Sequence, residues 1–173
     1  MGTIFVDNLE PQSGTTLTLG ASGDTITVPS GVTASGFGGI TEADQWRLTA
    51  NKTSTGDITA NLERVDTAGF GYLGTGMTES SGIFTFPSTG IYKITINMDG
   101  AYDRVIIKTT TDNSTYINAS HVAQYYGSAE FIFDVTNTST HKVKFNYDTY
   151  STGLVGDTDV NRTHFTFIRL GDT

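Results

Sequence analysis

Nowhere along this chain do apolar residues recur at helical spacing through three turns; they alternate instead. Period-two alternation puts every second side chain on one face of an extended strand, so it selects β structure over helix. In SGIFTFPSTGIYKITIN, residues 81–97, Phe84 and Phe86 share one face of a first run. Tyr92, Ile94 and Ile96 share one face of a second. Between them PSTG can reverse the chain, because Pro87 lacks an N–H donor and Gly90 tolerates unusual backbone angles. The stretch therefore predicts strand, turn, strand, with large apolar residues pointing into a core.

Runs of the same kind lie at 44–50, 57–65, 69–73, 82–87, 90–98, 103–110, 115–122, 129–135, 141–147 and 163–170. The nearest thing to a helix, ITEADQWRLTANK at 40–52, is flanked by Thr and Gly and reads as a turn followed by a strand. Strands this short, with turn signals at close intervals, predict an all-β sandwich or barrel, and a jelly roll of about ten strands is a common solution. Ten Phe and eight Tyr supply the core volume in a chain of otherwise modest apolar content.

Residues 1–40 differ in texture. They are short β words separated by Gly, such as GTTLTLG and GDTITVPSG, and Leu17 and Leu19 are echoed nine residues later by Ile26 and Val28. So few apolar residues cannot close a core alone. The segment reads either as a short β-rich stalk or docking arm, wrapped with other copies or attached to something larger, or as a loose arm. Two domains are therefore expected, 1–40 as the stalk or attachment segment and 41–173 as the head.

The net charge of −8, with ten basic residues scattered singly, offers no basic face for phosphates, so no nucleic acid partner is expected. The longest apolar run falls far short of the roughly 20 residues a membrane span needs, so no membrane insertion is expected. MGTIFVDNLEPQ has no basic region followed by an apolar stretch, so a secretory signal is not expected there. Cysteine is absent, which excludes disulfides and thiolate metal sites. A protein made in a reducing cytoplasm and released by lysis, as virion proteins are, would look like this.

Motifs for chemistry are weak. His121, His141 and His164 have no helical spacing that would pair them on a metal. Asp157, Asp159 and Asn161 imitate the start of a calcium loop, but Gly is missing at the sixth position and Ile168 stands where a Glu is needed at the twelfth, so no metal is assigned. There is no Gly-x-Ser-x-Gly elbow, and paired carboxylates such as Glu63 and Asp66 are what glycoside cleavage would require. No enzyme, catalytic residue or cofactor is expected. Asn-x-Ser/Thr sequons at Asn51, Asn113, Asn118, Asn137 and Asn161 are chance matches in an Asn-, Ser- and Thr-rich chain.

FTFPSTGIY sets Phe84, then five intervening residues, before Gly90-x-Tyr92-x-Ile94. With Phe86, this resembles the core signature of the C1q-like domain, a branch of the tumour-necrosis-factor-like jelly-roll superfamily. VIIKT, FIFDV, HKVKFNY, a long loop and a terminal THFTFIRLG follow in the same order, so the resemblance covers about 44–173. Met77 stands where that signature has an aromatic or Leu, Ile94 is not aromatic, and residues 1–40 carry no Gly-x-y collagen period. In its place LEPQSGTTLTLGASGDTITVPSGVTASGF is similar to Gly/Thr-rich β stalk segments of marine bacteriophage structural proteins.

The resemblance implies a homotrimer with the heads packed around an axis. The strands fit: Phe131, Phe133 and Val135 share a face, as do Val143, Phe145 and Tyr147, while Thr166, Ile168 and Leu170 oppose Phe165 and Phe167. Apolar residues on both faces leave a surface to cover. In a jelly roll of this type both chain ends lie at the base, which puts 98–102, 123–128 and 148–162 at the far end. Those segments hold Tyr102, Tyr125, Tyr126, Asp148, Tyr150, Asp157, Asp159 and Asn161, a mixture suited to a host-surface glycan or protein. The expected function is a non-enzymatic phage virion protein forming a trimeric fibre or spike, joined to other virion proteins through residues 1–40 and assembled in the host cytoplasm. The alternative is a capsid or tail decoration (cement) protein.

Overall fold

The computed structural model describes residues 9–27, 39–148 and 153–173. The chain divides into two units, Met1–Phe37 and Gly38–Thr173. In the first, residues 9–27 form turns and contain no strand, so the expected β word at 14–20 and the described part of the next, 23–27, are not strands here. A two-copy repeat offers no third strand to pair with, and an isolated hairpin is marginal in water. Leu17, Leu19 and Ile26 stay 41–55 % exposed.

The second unit is all β among its described residues. Its strands are β1 (Ala43–Leu48), β2 (Gly56–Asp57), β3 (Leu62–Arg64), β4 (Thr78–Ser80), β5 (Ile83–Thr85), β6 (Gly90–Thr110), β7 (Ile117–Val135), β8 (Lys142–Asp148) and β9 (His164–Gly171). The hydrogen-bonded order is β3-β1-β9-β6-β8-β5-β4, with β7 on β6 and β2 on β8.

Two long strands generate the sandwich. The first half of β6 pairs with β9, from Ile91 opposite Gly171 to Asn97 opposite His164. Its second half pairs with β8, from Arg104 opposite Asp148 to Thr110 opposite Lys142. β7 follows β6 throughout, from Val135 opposite Gly90 to Ile117 opposite Thr109. The β6–β7 hairpin thus folds over on itself and contributes to both layers, which is the jelly-roll construction. The sequence expectation of separate strands at 90–98 and 103–110, and at 115–122 and 129–135, is corrected: each pair is one strand with a bend. Residues 69–73 form only an isolated bridge, Ala43 to Leu73, because three of those five residues are Gly69, Gly71 and a solvent-facing Tyr72.

Rings from the two layers meet between them. Phe84 on β5 packs against Phe145 on β8, and against Trp46, Phe165 and Phe167 on β1 and β9, at centroid distances of 5.1–6.2 Å. Phe145 stacks on Phe165 at 4.1 Å. Phe84, Phe86, Tyr92 and Ile94 are all at most 2 % exposed. The fixed gap in the motif has a mechanical reason. Phe86 lies 4.7 Å from Tyr92 across the turn, and the Tyr92 hydroxyl reaches the Ser88 side chain and carbonyl at 3.0 and 3.1 Å. Gly90 sits at φ +144°, and a Cβ there would lie 2.5 Å from the Gly171 carbonyl oxygen. Only glycine lets β6 approach the C-terminal strand so closely.

Two buried charges are satisfied rather than left over. Asp44 accepts from the Trp46 indole at 2.9 Å, Arg64 Nε at 3.0 Å and the Met77 backbone N–H at 2.7 Å. Arg47, fully buried, donates to Glu63 at 2.7 Å and Thr67 at 2.8 Å, and pairs with Asp66. Paired in this way, the buried charges keep their hydrogen bonds, and removing one partner would leave the other uncompensated.

Candidate functional site

β9 begins at His164 beside Asn97, and ends at Gly171 beside Ile91. β1 enters at Ala43 opposite Ile168. Entry and exit of the head unit therefore share one end, and the fold-over of β6 and β7 forms the other. Three β6 residues, Gly100, Ala101 and Tyr102, face a single β7 residue, Tyr125, between the pairs Asp99–Tyr126 and Asp103–Gln124. Such a mismatch bends a strand and re-aims its side chains.

The bend is held from inside. Asp103, 1 % exposed, accepts from the Tyr147 hydroxyl at 2.8 Å and from the Ala101 N–H at 3.1 Å. A Cβ on Gly100 would meet the Asp103 carboxylate at 2.9 Å. Buried Leu154 bridges to Gly100, the Val155 N–H donates to the Asp99 carbonyl at 2.8 Å, and Asp99 pairs with Arg162.

On the outside of this clamp, Tyr102 takes φ +56°, a conformation uncommon for a bulky residue and concentrated at functional sites. Its ring packs on Tyr125 at 4.2 Å. The neighbouring Tyr102 hydroxyl raises the Tyr125 pKa above its ordinary value. Tyr102, Tyr125 and Tyr126 are 62, 47 and 72 % exposed. Asp148, at the end of β8, pairs with Arg104 beside the bend.

The remaining expected site residues behave differently. Tyr150 lies outside the described residues. The Asp157 carboxylate turns back onto the N–H groups of Asp159 and Val160 at 2.7 and 3.0 Å, and these donors hold its pKa below the usual range. The Asp159 carbonyl accepts from Thr67, and the Asn161 amide donates to Gln45 at 2.7 Å. Asp157 Oδ1 and the Asn161 amide nitrogen thus take part in local structure near β1, and the start of the calcium-loop imitation forms an Asx turn. Glu63 and Asp66 are counter-ions of Arg47. His121, His141 and His164 lie on or beside different strands, and among the described residues no three metal-ligating side chains cluster. No described helix is long and apolar enough to cross a membrane.

Arg104, Asp99 and Arg162, which flank the tyrosines, carried no signal in the sequence. Their pairing depends on the β6–β7 mismatch, and no local pattern announces a three-against-one register.

No family model and no curated protein matches this chain. Solved structures do. Murine APRIL at pH 8.5 aligns over 75% of this chain and 98% of its own, with a TM-score of 0.52 and 12% identity. Murine APRIL at pH 8.0 gives 0.51 and 11% over the same shares. Eiger TNF from S. frugiperda gives 0.47 and 11% over 76% of this chain and 93% of its own. At such identities the APRIL likeness is one of fold, and what this chain shares with it is the all-β jelly-roll architecture of the head.

Proposed function

We propose that this protein is a non-enzymatic virion component, a trimeric fibre or spike of a bacteriophage whose head contacts the host surface. The observation that carries the reading is the exposed tyrosine platform, Tyr102, Tyr125 and Tyr126, rigidly clamped at the end of the head farthest from its chain entry. Tyrosine offers contact area at low entropic cost, and binding groups concentrate where a rigid β frame presents them. The bacteriophage and virion assignment rests on the likeness of residues 9–37 to Gly/Thr-rich stalk segments. Trimer formation draws support from the outer face of the β1-β9-β6-β7 layer. There Ala43, Ile168, Lys93 and Ile132 form one cross-strand row, and Ile132 is 53 % exposed.

The test is adsorption. Tyr125→Ser with Tyr126→Ser is made in the full chain, trimer formation is checked by sedimentation, and binding of the labelled protein to host cells is measured. Loss of adsorption with the trimer intact is expected; unchanged adsorption rejects the platform as the contact surface. A decoration protein is the second reading, favoured by exposed Leu17, Leu19 and Ile26, which suit an arm laid on a larger particle surface. Copy number separates the two: hundreds per particle means decoration, a few trimers means a fibre.

A further inference from the structure

A second concave surface lies where the two layers part beside the β6–β7 turn. It is a groove of about 310 Å³, at the lower end of the roughly 300–1,000 Å³ typical of small-ligand sites. Its floor is Phe131, Phe133 and Ile117, and its rim carries Thr111, Asp112 and Thr115. Ile117 is 62 % exposed and stands eight residues along β7 from Tyr125, about 26 Å of strand. The groove is therefore separate from the tyrosine platform.

Asp112 is held in a fixed pose. Its Oδ1 accepts from the Thr110 hydroxyl at 2.8 Å and from the Ser114 and Thr115 N–H groups at 2.8 and 2.7 Å. The two backbone donors, with the Thr110 hydroxyl, hold the carboxyl well below the usual carboxylate range, so it is an acceptor at any physiological pH. Both backbone donors go to Oδ1, and the residue is exposed. Close by, Lys142 is the register partner of Thr110. Its ammonium is buried against the Thr138 carbonyl at 2.7 Å and the Thr85 hydroxyl at 3.1 Å, with no carboxylate partner among the described residues.

We propose that this groove binds one neutral pyranose ring. The apolar floor takes the C–H face of the sugar, the exposed Asp112 carboxylate accepts from adjacent ring hydroxyls, and the threonine hydroxyls both donate and accept. The volume of the groove is sufficient for one pyranose ring. The proposal goes beyond the adhesin reading and does not need the platform to bind anything.

The experiment uses the isotopically labelled full chain, titrated with the methyl glycosides of glucose, galactose and mannose and followed by amide NMR. Saturable shifts at Asp112, Thr115, Ile117 and Phe131 with at least one glycoside are expected. Ile117→Arg, on an exposed side chain, should abolish them without altering the remaining spectrum. Asp112→Asn should weaken binding about tenfold or more, the loss of a hydrogen bond to a charged acceptor. Shifts confined to Tyr102, Tyr125 and Tyr126 would overturn the groove as the sugar site while leaving the platform reading intact. No shift with any of the three glycosides, or a groove found covered by a second copy in the assembled protein, would overturn it as well.

Discussion

Phe84→Ala is the sharpest perturbation of the frame that positions the platform. Phe84 is fully buried, and four other rings lie within 6.2 Å of its centroid. Truncating a buried Phe to Ala costs about 3–5 kcal/mol, more where the site cannot collapse. Here the neighbours belong to both layers and are tied by β-ladders, so collapse is restricted. Lost edge and tilted ring contacts, worth roughly 0.5–1.5 kcal/mol per pair beyond area, push the expectation to about 4–5 kcal/mol. At roughly 3–4 °C per kcal/mol for a domain of this size, the melting temperature should fall by about 12–20 °C. The assay is urea unfolding at fixed protein concentration, which matters because assembly adds to apparent stability. The chain's single tryptophan, Trp46, reports directly, since its ring lies 5.5 Å from Phe84. The slope should be unchanged and the midpoint lowered. A loss under about 2 kcal/mol with unchanged slope would show that the rings do not form a rigid cross-layer contact.

Two further predictions follow from other contacts. Gly90→Ala forces a Cβ to 2.5 Å from a backbone oxygen of the last strand, and at φ +144° the residue is strained even without that clash; a loss of about 2 kcal/mol or more is expected in the same urea assay, and wild-type stability would refute the close approach. Burial raises the Asp57 pKa, but hydrogen bonds and charge from Lys144, Asn146 and Lys108 outweigh it and hold it below the ordinary 3.8; a depressed carboxylate adds stability above its unfolded pKa and loses it as pH falls through the folded one, so wild type should exceed Asp57→Asn at neutral pH and the gap should close below about 3.8, whereas a gap constant from neutral to strongly acid pH would refute the pairing.

Much of the head was legible from residue order alone. Alternation along 82–97 and 163–170 marked strands correctly, because a half-buried strand must alternate wherever one face is dry. Phe84, Phe86, Tyr92 and Ile94 declared themselves as core for the same reason. The bends were not legible. MDGAY and AQYYGS look like loops, with Gly, Asp and tyrosines between apolar runs, yet both lie within continuous strands. Their conformation is set by pairing partners far away in sequence, Leu154 and Thr163 among them. The acidic loop also holds contacts that spacing does not report: Asp157 Oδ1 accepts from backbone N–H groups, and the Asn161 amide donates to Gln45.

What the amino-acid sequence determined by itself was the β class, the aromatic core and the Gly-x-Tyr staple, because these rest on local periodicity and on the conformational range of single residues. What only the tertiary structure decided was which polar groups remain available. Tyr102 and Tyr125 stay outward, while Glu63 and Asp66 each give an oxygen to Arg47 and Asp157 gives one to the backbone. Hydrogen-bond and charge pairing is settled by distance in space, and spacing along the chain does not report it.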